Sequence, residues 1–381
     1  DMSRVRVRSG ITLTVSNITG LGEMVQDVGP NVSNFGTIIA DIGDFAENPN
    51  NGWFFWIQAN GTTIVNDFDA YPTFRTFGGN ANRFFQFGKE VVAKNMLIDN
   101  NVTFQVAQNL TIDSTIIIGS NQEGSIEFIG LGYDVTLSCT DFAMIGGADS
   151  DLNSVTVENS GTDIHTFTIN GDVTFTNGST FDLSSAGSNV ILQFSGTGVN
   201  SLTDNADITM DLYKIKMNKG SDTNSSFTIP DVFTLTDPSV SGIQPIEIVN
   251  GLLIIDAAVD ITLTDASTGS FYLPNSLNDE ASSGSGGLEI VNGTLKIEGD
   301  DNGLILDGLL RLSGGTLDMS VTGDNGNNFI EYGSSGNATI EITDGSLLVG
   351  SQVRRKLTAV SGLLNYVQTG GIARFGIEAA P

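Results

Sequence analysis

Three oxygen-bearing side chains stand at alternate positions in Asp149-Ser-Asp151-Leu-Asn153. A calcium-binding loop uses that spacing to turn alternate carboxylates and amides toward one hard cation. Asp149, Asp151 and Asn153 are therefore the candidate Ca²⁺ ligands. The loop departs from a helix–loop–helix site: Ser154 stands at the sixth position, where the turn wants glycine, and no glutamate stands at the twelfth. Other acidic turns, Gly299-Asp-Asp-Asn-Gly303 and the one beginning at Gly323, fit solvated corners. His165 is the sole histidine, so no second imidazole can share a metal with it. It falls among Ile164 and Phe167 in a strand-like run and is expected to be a structural imidazole. Cys139 is expected to be a small buried hydrophobe. Arg354, Arg355, Lys356 and Arg374 form the one dense basic cluster after residue 100. A lyase needs an arginine or lysine, beside Ca²⁺-binding carboxylates, to remove a proton next to an acidic substrate's carboxylate. This is the one strip that offers it, although a solvated corner loop is the expected use. Trp53 and Trp56, in GWFFWIQ, offer aromatic faces for sugar rings, although cap or core packing is the expected use.

Charge narrows the partners. The chain carries 44 acidic and 16 basic residues, a net charge of −28. A polyanion of that size repels nucleic acid and anionic membranes, which need Lys and Arg to neutralise phosphate. It attracts Ca²⁺ and cationic partners, and its self-repulsion favours solubility. No run of 18 apolar residues occurs, so membrane insertion by a helix is not expected. A single cysteine excludes disulfides within the chain. An extracellular address without disulfides points to a bacterium. The chain begins at Asp1 with no leader-like segment, so any signal peptide is expected to have been removed or to lie ahead of Asp1.

The elements that must position these residues are strands. A phrase of alternating apolar residues, a Gly-containing corner and renewed alternation recurs as IEIVNGLLIID from Ile246, LEIVNGTLKIEG from Leu288, LRLSGGTLDMS from Leu310 and IEITDGSLLVG from Ile340. Period-2 alternation buries one face of a strand. The corner glycines Gly251, Gly293, Gly315 and Gly345 are 42, 22 and 30 residues apart, which fits stacked coils of roughly twenty to thirty residues. The segment with the best helical pattern, Lys89–Leu97, is short and lacks a cap. The expected fold is all-β, a right-handed parallel β-helix or β-solenoid, with a β-sandwich as its rival. Residues 1–100, rich in aromatics, are expected to form an N-terminal cap or first coils, and 101–381 the regular solenoid. Ile246, Ile248, Leu288, Ile290, Leu310, Leu312, Ile340 and Ile342 are expected to enter one core. Strand contacts should join residues about 20–30 apart. The terminal RFGIEAAP shows no evident cap, so further domains of the same polypeptide are expected.

LEIVNGTLKIEG and LRLSGGTLDMS, with YVQTGGIARFG from Tyr366, resemble the right-handed parallel β-helix regions of large bacterial surface proteins and autotransporter-like passengers. The resemblance implies an extracellular or cell-surface address and carries over no catalytic residue. Enzymes of the polygalacturonase type on this fold carry Asn-Thr-Asp, Asp-Asp, Gly-His-Gly and Arg-Ile-Lys motifs. Here Asp300-Asp301 is the only Asp-Asp pair, His165 is not flanked by glycines, and Arg-Ile-Lys does not occur. The expectation is a non-catalytic structural or adhesive segment that meets carbohydrate or another surface protein. The alternative is a β-helix that binds or cleaves polysaccharide in a groove.

Overall fold

In the computed structural model the described residues are 4–7, 11–20, 31–34, 37–45, 55–58, 62–65, 73–77, 83–87, 91–93, 95–98, 102–119, 123–145, 153–177, 180–236, 245–257, 261–264, 271–272, 286–297, 303–320, 328–333, 337–356 and 362–376. Every regular element among them is a strand, and no helix there is long and apolar enough to cross a membrane. All registered pairs are parallel, so the β-sandwich, which needs antiparallel ladders, is set aside. The fold is a parallel β-solenoid. The short pattern at Lys89–Leu97 forms two strand pieces, Val91–Ala93 and Asn95–Ile98, because each pairs with the next coil and that pairing outweighs a weak helical pattern.

The chain divides into two compact units, Asp1–Val190 with Asp204–Ile208, and Ile191–Thr203 with Thr209–Pro381. In the first, a coil has up to three strands. One face stacks Arg4–Val7, Asn31–Asn34, Phe55–Gln58, Thr73–Phe77 and Asn95–Ile98. A second runs from Thr12–Gly20 through Val102–Val106 and Gly124–Phe128 to Thr180–Asp182. A third joins Val91–Ala93 to 110–112, 136–139 and 166–169. Partner residues lie 19 (Arg83 to Val102) to 31 (Phe142 to Val173) apart. The strands within 1–100 are thus rungs of the same faces. Trp53 lies outside the described residues, whereas Trp56 sits on the strand Phe55–Gln58 in register with Val32 and Thr76. The cap packing expected of these side chains is outside what the structure describes.

The interior of this unit holds a cluster of phenylalanines among aliphatic side chains. Phe142 meets Phe167 edge-on with centroids 5.2 Å apart, and Phe175 and Phe181 lie 5.4 Å apart. Edge and tilted contacts suit the ring quadrupole and add to area burial.

The second unit repeats the three-strand coil with aliphatic columns. Leu253, Leu288, Leu310 and Ile340 stack in register, as do Ile255, Ile290, Leu312 and Ile342, and all eight are fully or almost fully buried. Each such side chain contributes ~1.5–3 kcal/mol relative to exposure. Ile246 and Ile248 are equally buried, but their column partners are Ile215 and Met217. The phrase at Ile246 therefore sits one face earlier in its coil than the phrase at Leu288. An alternating strand ending in Asn-Gly serves any corner, so local pattern does not fix which face it occupies. Spacings in this unit run from 22 (Leu288 to Leu310) to 35 (Leu253 to Leu288), wider than the 20–30 expected.

The corner glycines sort accordingly. Gly293, Gly315, Gly345 and Gly371 precede the register-matched Thr294, Thr316, Ser346 and Ile372, and so share one corner. The amides of Thr316, Ser346 and Ile372 donate to the carbonyls of Gly293, Gly315 and Gly345 at 2.8, 3.0 and 2.9 Å. Gly345 has φ +79°, and a Cβ there would collide with the Gly315 carbonyl oxygen. Gly251 belongs to a different corner and pairs with Gly286.

Candidate functional site

Asp149 and Asp151 lie outside the described residues. Asn153, at the entry to the strand Ser154–Val157, is fully buried, and its Oδ1 accepts the Gly124 amide at 3.0 Å. A Cβ on Gly119 would collide with the Asn153 carboxamide, so the glycine makes room for this contact between coils. The Asn153 oxygen thus faces the neighbouring coil. Among the described residues no group of three or more His, Cys, Asp or Glu side chains could hold a metal ion. Asp300, Asp301 and the turn after Gly323 are also outside the described residues.

The densest polar arrangement was not singled out from sequence. The turn Gly130-Leu-Gly-Tyr-Asp134 is held by side chains one coil on. Asp163 Oδ2 accepts the amides of Leu131 and Gly132 at 2.6 and 2.8 Å. Glu158 accepts Gly130 N–H at 3.0 Å, and Asp134 returns the contact by accepting Ile164 N–H at 2.8 Å. The Tyr133 hydroxyl donates to the Ala107 carbonyl and accepts from Gln108, both at 2.9 Å. The Gly-x-Gly turn and the NSGTD run one coil later were the available signal.

His165 belongs to this corner and is fully buried. Its Nδ1 accepts the Val135 amide at 3.2 Å, which leaves the proton on Nε2, and its ring stacks on Phe128 at 5.8 Å. Burial lowers its pKa below the usual imidazole value, against the opposing pull of Asp163, Asp134 and the Ile129 backbone. Serine, histidine and aspartate therefore meet here without forming a nucleophilic relay. Ser188 Oγ donates to the Ser160 carbonyl at 2.5 Å, and His165 Nδ1 is engaged with backbone rather than a carboxylate. What the corner does chemically is satisfy backbone donors that the turn leaves open. Cys139 is buried as expected, and burial, followed by the Asp141 charge, pushes its thiol pKa up, which keeps it protonated and unreactive.

Opposite charges meet at register-matched positions on adjacent coils. Glu247 takes its register partner Lys216 at 3.6 Å and also Lys214, two residues earlier on that strand, at 2.6 Å. Burial raises the Glu247 carboxyl pKa, but the two ammonium groups outweigh it and hold it below the usual range. Arg311 lies between Glu341 (2.8 Å) and Glu289 (3.3 Å), and Ser313 donates to Glu289 at 2.7 Å. Arg354 pairs with Glu331 at 3.0 Å and covers the Phe329 ring at 3.7 Å from its centroid. The basic run is thereby divided. On the strand Val353–Arg355, Arg354 aligns with Glu331, whereas Arg355 follows the opposite-facing column of buried Leu306 and half-buried Tyr332 and is itself exposed. Arg374 lies on another face, opposite Leu348.

Fold and site together define a parallel β-solenoid in which many described polar side chains bind neighbouring coils to one another. The chain matches no family model, no curated protein and no solved structure.

Proposed function

We propose that the chain is a non-catalytic structural and adhesive segment of an extracellular bacterial surface protein, meeting carbohydrate or another surface protein through its corners. One observation carries the reading. The described ion pairs join successive coils, at Lys216/Glu247, Glu289/Arg311/Glu341 and Glu331/Arg354, instead of converging on one cleft. Acid–base cleavage of a glycan needs two such groups converging on one bond. The secreted, bacterial address rests on the repeat style, the Asn/Ser/Thr-rich composition and the lone cysteine.

The test is a panel of pectin, alginate and sulfated glycans. No turnover is expected. Turnover that disappears in Arg354→Ala or Arg355→Ala would replace this reading with a polysaccharide-cleaving β-helix. Calcium at Asp149, Asp151 and Asn153 is tested separately, because an ion that binds only the folded chain raises its Tm. An unchanged Tm in millimolar Ca²⁺ and in EGTA removes the calcium reading of all three residues.

A further inference from the structure

The Asn-Gly pairs that lie wholly among the described residues are Asn170-Gly171, Asn250-Gly251 and Asn292-Gly293. Glycine has no side chain to hinder its own amide nitrogen, which can then reach the carboxamide carbon of the asparagine before it. The fold holds two of the pairs away from that reaction. Asn170 donates through Nδ2 to the Cys139 carbonyl at 3.0 Å, and the Gly171 amide donates to the Thr140 carbonyl at 2.6 Å. Asn250 donates to Oδ1 of its register partner Asn218 at 3.1 Å. Gly251 is buried within the strand Ile246–Ile255 and pairs with Gly286. Asn292 differs on each count. It is exposed, it lies outside the strands, and its carboxamide has no hydrogen-bond partner among the described residues.

The neighbouring coils show how this corner folds. Ile290, Leu312 and Ile342 are in register before it, and Thr294, Thr316 and Ser346 after it. Asn292, Gly314 and Asp344 therefore occupy one column. At Asp344 the side chain folds back on the next residue, and its Oδ1 accepts the Gly345 amide at 2.9 Å. Gly293 and Gly345 share the left-handed backbone, with φ of +63° and +79°. The same turn at Asn292, whose side chain has the same shape, would set the Gly293 nitrogen beside the carboxamide carbon. Holding two reacting groups together in this way removes most of the entropic barrier to ring closure.

We propose that Asn292 is a self-modification site, at which the folded chain deamidates faster than at its other described Asn-Gly pairs. Hydroxide takes the Gly293 amide proton and the nitrogen bonds to Asn292 Cγ. The carboxamide nitrogen leaves as ammonia with a proton from water, which restores the hydroxide. Water then opens the succinimide at one of its two carbonyls. Opening at Cγ gives aspartate, the residue this column already carries at Asp344. Opening at the main-chain carbonyl gives isoaspartate. The net change exchanges NH₂ for OH, adds one negative charge and involves no oxidation. Isoaspartate also lengthens the main chain beside the point where the Thr316 amide donates to the Gly293 carbonyl at 2.8 Å, so it would loosen one coil from the next.

The test incubates the full chain at mildly alkaline pH, folded and in denaturant, and follows the three asparagines by peptide mapping for aspartate and isoaspartate. In the folded chain Asn292 should convert about tenfold or more faster than Asn170 and Asn250. In denaturant the three rates should converge, because glycine follows each asparagine. Two results would overturn the proposal: conversion of Asn292 no faster than the other two in the folded chain, or the same spread of rates with and without denaturant.

Discussion

Replacing Gly345 by alanine would put a methyl group against the Gly315 carbonyl oxygen at a backbone φ of +79°. Gly132 has a similar φ, +77°, but a Cβ there meets nothing within 4 Å. Gly132→Ala should therefore show only the left-handed backbone cost, about 1–2 kcal/mol. Gly345→Ala should exceed that clearly in denaturant unfolding, and equal costs would show that the corner relaxes freely. His165 gives a pH signature. Its folded pKa lies below the ordinary 6.5, so its contribution is complete above about pH 6.5. Below that, the unfolded chain takes up a proton that the folded chain refuses, and stability falls by up to ~1.4 kcal/mol per pH unit until the folded value is reached. His165→Gln should remove this part of the pH slope. Because the histidine is unique, ring ¹⁵N NMR reads it directly, and a charged imidazole at pH 6.5 would contradict the assignment. That His165 is structural was legible from its place among apolar strand residues. Its acceptor role was not, since Val135 is 30 residues away and only the stacking of coils brings them together.

At the scale of elements, the core and the ion ladders differ in weight. Phe167 is fully buried and touches both Phe128 and Phe142, so Phe167→Ala should cost about 3–5 kcal/mol. Arg311 and its partners are partly exposed, and Arg311→Met should cost about 1 kcal/mol and less in high salt. Chemical denaturation of both variants checks the order. If Arg311→Met proved the more damaging, the ladders rather than the columns would hold the coils together. Strand alternation made the buried positions legible, including all eight residues assigned to the core. It could not show that the phrases at Ile246 and Leu288 occupy different faces. Nor did the run Arg354-Arg355-Lys356 read as two opposed surfaces until its residues were placed on a strand, where neighbours point apart.

For the whole molecule, the all-β parallel solenoid was legible because one chemical rhythm, alternation closed by glycine corners, repeats through much of the sequence. Function was less legible because the polar groups that do the most structural work come from different coils. Asp163 reaches Leu131 and Arg311 reaches Glu341 across gaps of 32 and 30 residues. The excess of carboxylates predicts a bulk effect. Raising NaCl from about 10 mM to 150 mM shortens the screening length from about 30 Å to 8 Å, which should raise Tm. A Tm that falls instead would mean that ion ladders outweigh self-repulsion. The proposed address at a bacterial surface is tested most directly by one measurement. Antibody against the folded chain is applied to intact producing cells, before and after protease shaving and with permeabilised cells alongside. The account predicts labelling of intact cells that shaving removes. Labelling only after permeabilisation would contradict it.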